Sequence, residues 1–340
     1  MIVAIIANLF CIIYLEMGAM GMLYGNLISL IVSSIPASYY SIRNNGLHFE
    51  ISLFNDMLKF GLPTVTAALS AAVMHNADRF FIRYYCTLDD VGIYGLGYNF
   101  PWMLNTLLLQ SFNLIWGAAV MYEISKEKDA SYQFGRIATY FMIIFIFCQL
   151  GVSIFSTSIL KILAAPKFFE AYSVIPIVAL GVSFHALYTF FSAGAFIKEK
   201  TWLLNVAYFP AACINISLNI ILLPRFGYMA AAWTTVLTYF SFSLLLYLAC
   251  RRTIDISFEF RRLAYLFLLA FCVFFLSSKL YLDKLILDIL IQSICVSVFF
   301  IILISGRFFT PGEKSYLIQE VKKVYTMARN KWSPNVENYR

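Results

Sequence analysis

The chain has 340 residues, a net charge of +7, 61% hydrophobic and only 13% charged residues, and a mean hydropathy of +0.78. Soluble domains run near roughly 45–50% apolar and about 25% charged, so a water-soluble fold could not hide this much apolar surface. The seven cysteines are scattered, with neither metal-ligand spacing nor a disulfide framework.

A helix crosses the hydrocarbon core with about 20 residues. Ten segments of that kind are predicted in order: Met1–Leu15, Gly18–Tyr40, Leu58–Tyr84, Val91–Met121, Tyr132–Ser156, Tyr172–Ile197, Trp202–Leu223, Tyr228–Cys250, Leu263–Leu280 and Leu285–Ser305. The first is short. It lacks the basic start and small-residue cleavage site of a signal peptide and reads as a membrane span. The apolar runs are too long and too unbroken for barrel strands. The predicted fold is an all-α polytopic membrane helix bundle.

Basic residues assign the sides. The segments after even-numbered spans, with the C-terminal tail, hold eighteen of the 25 Lys and Arg, including Arg43, Lys126, Arg136, Lys200, Arg251, Arg262 and Lys323. Segments after odd-numbered spans hold the other seven, Arg79, Arg83, Lys161, Lys167, Arg225, Lys279 and Lys284. The positive-inside rule places the richer side, and with it both termini, in the cytoplasm. The positive charge thus serves topology and anionic lipid, and no nucleic-acid partner is expected.

The loops are too short to house a soluble catalytic domain. The tail opens with Thr310, Pro311, Gly312 and Glu313, a helix start with Thr310 capping and Glu313 three residues on. Tyr316, Leu317, Ile318, Val321, Val324 and Tyr325 would form an apolar face lying on the membrane surface.

Leu9 to Ser29 aligns with Leu218 to Thr238 at an offset of 209 positions, with Leu9/Leu218, Ile12/Ile221, Gly18/Gly227 and Met20/Met229 identical. Transporters are often built of two related bundles with the substrate between them. On that reading, 1–42 holds the last two spans of an incomplete first bundle and about four spans precede it. Residues 43–252 form the six-span second bundle, 253–306 two additional spans and 307–340 the cytoplasmic tail.

Phe60-Gly-Leu-Pro63, Asn76-Ala-Asp78-Arg79-Phe-Phe81 and Asp90-Val-Gly-Ile-Tyr94, followed by Asn219-Ile-Ile-Leu-Leu-Pro224-Arg225-Phe-Gly227, resemble polysaccharide-biosynthesis membrane proteins. These are the O-antigen and teichoic-acid exporters of the multidrug/oligosaccharidyl-lipid/polysaccharide superfamily. The signatures and loop lengths cover nearly all of Met1 to Ser305. The resemblance implies a flippase moving undecaprenyl-pyrophosphate-linked oligosaccharide across the bacterial cytoplasmic membrane by alternating access. It implies no enzyme activity, no cofactor and no metal, and partners among polysaccharide polymerase and chain-length machinery. Asp78, Pro224 and Gly227 take structural roles.

A pyrophosphate needs a cationic cavity to cross hydrocarbon. His75, Arg79 and Arg83 recur every four residues on one helix face, and arginine suits pyrophosphate through its two-pronged hydrogen bonding. Arg79 could instead pair with Asp78 or Asp90 as a structural bridge. His185, near the centre of its span, could meet glycan or a coupled proton, or simply bond a neighbouring helix. Gln110 and Asn113 share a face on a helix holding Trp102 and Trp116, and suit sugars or helix–helix contact equally. Gly92, Gly95 and Gly97 would loosen the start of that helix.

Three alternatives stand beside the flippase. A drug or cation antiporter of the same superfamily would prefer buried carboxylates, which the spans show sparingly. An integral-membrane glycosyltransferase or polymerase would need Asp89 and Asp90 as a metal-binding pair, though carboxylates opening a helix are ordinary caps. A chain truly starting at Met1 could also be a non-functional truncated copy. No Gly-x-x-x-x-Gly-Lys loop is present, so ATP hydrolysis is not expected.

Overall fold

A computed structural model describes residues 2–46, 49–280, 282, 284–306 and 308–315. Among these, eight helices are long and apolar enough to cross a membrane. The protein is a multi-pass integral membrane protein.

In order the helices are α1 (Ile2–Leu9), α2 (Gly18–Asn45), α3 (Ile51–Tyr85), α4 (Leu88–Ile115), α5 (Met121–Ile124), α6 (Ala130–Ile154), α7 (Ser156–Leu163), α8 (Val174–Ala186), α9 (Tyr188–Phe191), α10 (Ala193–Ile197), α11 (Trp202–Phe226), α12 (Tyr228–Cys250), α13 (Phe260–Ser278) and α14 (Leu285–Ser305). Two of the ten expected spans fall outside the eight. The first is an eight-residue helix continued by a π-helical turn, Phe10–Tyr14, and stands among the shorter apolar helices. The fourth, α4, is long enough at 28 residues, but Asn99, Asn105, Gln110 and Asn113 lower its hydropathy. The sixth is not one rod: a 3-10 segment, Pro166–Ser173, leads into α8, and the chain then breaks into α9 and α10.

The chain divides into two compact units, Met1–Lys59 and Phe60–Arg340. In the first, α1 packs along α2 at close range. A Cβ at Gly21 would sit 2.8 Å from the Cys11 carbonyl oxygen, and Asn8 donates a 3.1 Å hydrogen bond to Asn26.

In the second unit, α8 lies against α4, α6 and α12, and α11 pairs with α12. Aromatics fill the centre, with Tyr94, Tyr98, Tyr239, Phe145 and Phe242 fully buried. Small residues bring helices close, as expected where no hydrophobic effect drives helices together. Gly97 is one case: a Cβ there would meet Val174 at 2.7 Å. The glycines of α4 therefore do not loosen its start. The helix is continuous, and Gly97 is a packing contact. Leu62, Leu69, Phe80, Met103 and Leu107 are exposed, the outward apolar display of a bilayer protein.

Helix ends follow local chemistry. Thr87 and Asp90 form a reciprocal capping box that starts α4. Asp90 of the acidic pair at 89–90 thus serves as a helix cap. The turn between α11 and α12 is made by Gly227 at φ +65°, and Gly18, its counterpart in the internal alignment, opens α2 at φ +54°. Both positions need backbone that L side chains rarely adopt. Thr201 Oγ1 donates to the Phe60 carbonyl, and Asn205 Nδ2 to that of Pro63, so the base of α11 is tied to the proline turn of α3.

The Thr310/Glu313 cap forms as expected: Thr310 N–H donates to Glu313 Oε2 at 2.6 Å, and Glu313 N–H to Thr310 Oγ1 at 3.3 Å. The Glu313 carboxylate also holds Arg136 and Tyr140 of α6 and Arg262 of α13. The apolar face expected from Tyr316 onward lies outside the described residues.

Candidate functional site

The site is built on α3 and α4, braced by α11 and α12. The neighbours Asp78 and Arg79 point to different surroundings. Asp78 is fully buried. One carboxylate oxygen accepts from Asn219 Nδ2 at 2.7 Å and Asn215 Nδ2 at 3.1 Å; the other accepts from Tyr94 at 2.5 Å and Thr235 at 2.9 Å. These are four neutral donors from three helices. A buried charge needs such compensation, since isolated it would cost many kcal/mol. Asn219 Oδ1 is buried beside the carboxylate with no hydrogen-bond partner. An ionisable group at such a place can take up a proton or face a monovalent cation, with Asn219 Oδ1 as a further oxygen. No group of three or more His, Cys, Asp or Glu residues among the described residues would form a transition-metal cage.

Arg79 turns the other way. Its guanidinium lies 4.8 Å from the Tyr98 ring centroid, donates from Nη1 to the His75 carbonyl at 2.9 Å, and reaches Asn99 Oδ1 at 3.4 Å. Among the described residues it pairs with no carboxylate. The expected bridge to Asp78 or Asp90 does not form, because Asp78 is saturated by neutral donors and Asp90 caps α4. Arg79 is half-buried and fixed on three sides while keeping its charge uncompensated. That is the arrangement suited to an incoming anion.

His75 sits beneath it, with Nδ1 2.8 Å from the Tyr98 hydroxyl, which lies 2.8 Å from that of Tyr239. Trp102 bridges to His185, with ring centroids 4.2 Å from His75 and 5.5 Å from His185. The fold therefore brings His75, Arg79 and His185 into one aromatic cluster. His185 Nδ1 is buried without a partner, so a bond to a neighbouring helix does not explain that atom. Arg83 is exposed one turn beyond Arg79 and makes no hydrogen bond among the described residues. Gln110 and Asn113 are exposed much further along α4 and do not join the cluster. Sequence reasoning missed Tyr94, Asn215, Thr235 and Tyr239. The four-residue spacing of Asn215 and Asn219 on an apolar helix was the available signal.

Residues 1–121 match the profile of a family described as polysaccharide biosynthesis protein. The match covers about a third of the chain. The matched segment contains His75, Asp78, Arg79, Tyr98 and Trp102, so the polar part of the site lies within it. An uncharacterized membrane protein of Methanocaldococcus jannaschii is 26% identical over 287 residues, 81% of this chain and 54% of the relative. Among solved structures, the lipid II flippase MurJ in an inward closed conformation superposes with a TM-score of 0.64 at 19% identity, over 89% of this chain and 65% of the flippase. The polytopic helical architecture is of that kind. The chain spans just over half the length of the archaeal relative.

Proposed function

We propose that the second unit provides one wall of a translocation path for a lipid-linked, pyrophosphate-bearing glycan. The observation that carries this reading is Arg79, positioned by His75, Tyr98 and Asn99 with no carboxylate to neutralise it. A half-buried cation of this kind offers an anionic phosphate what lipid cannot. The His75–Trp102–His185 cluster beside it offers aromatic faces and ring nitrogens to sugar. The family region and the flippase-like architecture support the same reading. The protein would act without covalent chemistry, in the cytoplasmic membrane, with both termini on the cytoplasmic side. Polysaccharide polymerase would be the downstream partner.

Deleting the gene in its native cell tests this. Lipid-linked repeat units are expected to accumulate on the cytoplasmic leaflet, with loss of surface glycan; unchanged levels of both would refute the reading. One observation favours a second component. The Asp78 hub is a buried ionisable site within 3.1 Å of four donors, the kind of group that couples transport to a proton or monovalent cation. It also answers the scarcity of carboxylates that weighed against an antiporter. Export of small cations without any effect on glycan would favour that branch.

A further inference from the structure

A separate cavity of about 260 Å³ lies at the far end of α4 from Arg79, where α4 passes into the π-helical turn Trp116–Val120. Its lining includes Asn113, Trp116, Tyr122, Tyr188, Thr189 and Ser192. Trp116 is only 3% exposed and Thr189 5%, yet Trp116 Nε1 and Thr189 Oγ1 have no hydrogen-bond partner. Leaving two buried polar groups unpaired is costly, and such groups call for an explanation.

The backbone is irregular on both sides of this cavity. One wall is the π turn, and the other is the break from α9 into α10 at Ser192. π turns inside helices occur frequently at functional sites. Irregular backbone at membrane depth is tolerated where it is buried or lines a polar cavity. The volume is below that of a drug-sized site and suits a single ring. The chemistry is aromatic faces from Trp116, Tyr122 and Tyr188 with neutral hydroxyl, amide and indole N–H groups. No Lys, Arg, Asp or Glu lines the cavity, so it does not suit the pyrophosphate.

We propose that this cavity is a saccharide subsite, taking one pyranose ring against the aromatic faces and pairing its hydroxyls with Asn113, Trp116 and Thr189. The proposal rests on the reading of the chain as a carrier of lipid-linked glycan. Trp116 lies eighteen residues along the chain from Tyr98, about 27 Å at helical rise. The pocket therefore grips a sugar remote from the pyrophosphate. By the charge asymmetry of the loops it lies toward the cytoplasmic side, where glycan enters.

The test uses the full chain in nanodiscs with its five tryptophans carrying a fluorine label. The Trp116 resonance is assigned by its loss in W116F. Methyl glycosides of glucose, galactose and N-acetylglucosamine are titrated, with glycerol as the acyclic control. A saturable shift of the Trp116 signal is expected with at least one glycoside and not with glycerol. T189V should weaken it about five- to ten-fold, the effect of one lost hydrogen bond. N113A, at an exposed position that leaves packing intact, should weaken it as well. No shift with any glycoside, an equal shift with glycerol, or full affinity in both variants would overturn the proposal. Geranyl pyrophosphate is titrated separately. Failure of that probe to bind, with glycosides still bound at Trp116, would refute the carrier reading while the sugar site stands.

Discussion

Asn219 Nδ2 donates a 2.7 Å hydrogen bond to the Asp78 carboxylate across 141 positions of sequence. Through this contact α11 supplies a neutral partner to an ionisable group on α3, and no cation is consumed in holding it. Substitutions at Asp78 should separate folding from function. In D78N the hydroxyls of Tyr94 and Thr235 can rotate to accept from the new amide, so the protein should fold with little loss of thermal stability. D78L takes the carboxylate acceptor from the buried Asn215 and Asn219 amides, leaving Asn215 only a long bond to Thr238 and Asn219 only the oxygens of Asn215, at a cost of about 1–3 kcal/mol for a lost buried hydrogen bond. Thermal melts in detergent should show D78L well below D78N. Glycan translocation should be lost in both variants, since both remove the ionisable group. Retained transport in D78N would exclude coupling through this site.

Arg79 should dominate recognition of pyrophosphate. R79Q is expected to weaken binding of geranyl pyrophosphate at least ten-fold, roughly 1.4 kcal/mol. R79K should recover only part, because an ammonium keeps the charge but loses the two-pronged donor geometry and the stacking on Tyr98. R83Q, at an exposed position with no fixing contacts, should cost less than three-fold by the modest worth of exposed charge pairs. Equal effects at 79 and 83, read by titration in nanodiscs, would assign the role to general surface charge.

The Glu313 latch should be insensitive to pH over the physiological range. Burial disfavours its ionised form, but hydrogen bonds from the Thr310 backbone, Tyr140, Arg262 and the Thr310 hydroxyl outweigh this and lower its pKa from 4.5 to about 2. A depressed carboxyl pKa stabilises the docked state above 4.5, and that stabilisation is lost as pH falls toward 2. E313Q, which removes the charge from Arg136 and Arg262, should loosen the attachment by about 1–3 kcal/mol at neutral pH. Hydrogen exchange over 308–315 reads both effects. Loss of protection near pH 6 in the unsubstituted protein would contradict this account.

Gly227 should resist substitution for a torsional reason. A Cβ there would meet nothing within 4 Å, so crowding is not the difficulty. Its φ of +65° with ψ of −161° lies in a region essentially reserved for glycine. G227A should cost about 1–3 kcal/mol. Because α11 and α12 carry Asn215, Asn219 and Thr235, the substitution should impair the Asp78 site together with thermal stability. Unchanged melting and transport in G227A would mean that the turn tolerates another conformation.

The membrane class, the order of the helices, a capping role for the carboxylates that open α4, the Thr310/Glu313 pair and the break between α11 and α12 were readable along the chain, because each depends on residues a few positions apart or on the length of an apolar run. Helix packing settled what remained. Adjacent residues Asp78 and Arg79 diverge because one faces α11 and α12 and the other the Tyr98 ring, and nothing in their spacing distinguishes those neighbours. The same holds for His185, reached from His75 through Trp102, and for the cavity at Trp116, which needs a π turn on one helix to meet a break in another. Contacts spanning 137 to 157 positions, such as those of Asp78 with Asn215 and Thr235, depend on which faces of three helices meet, and helical periodicity alone leaves that choice open.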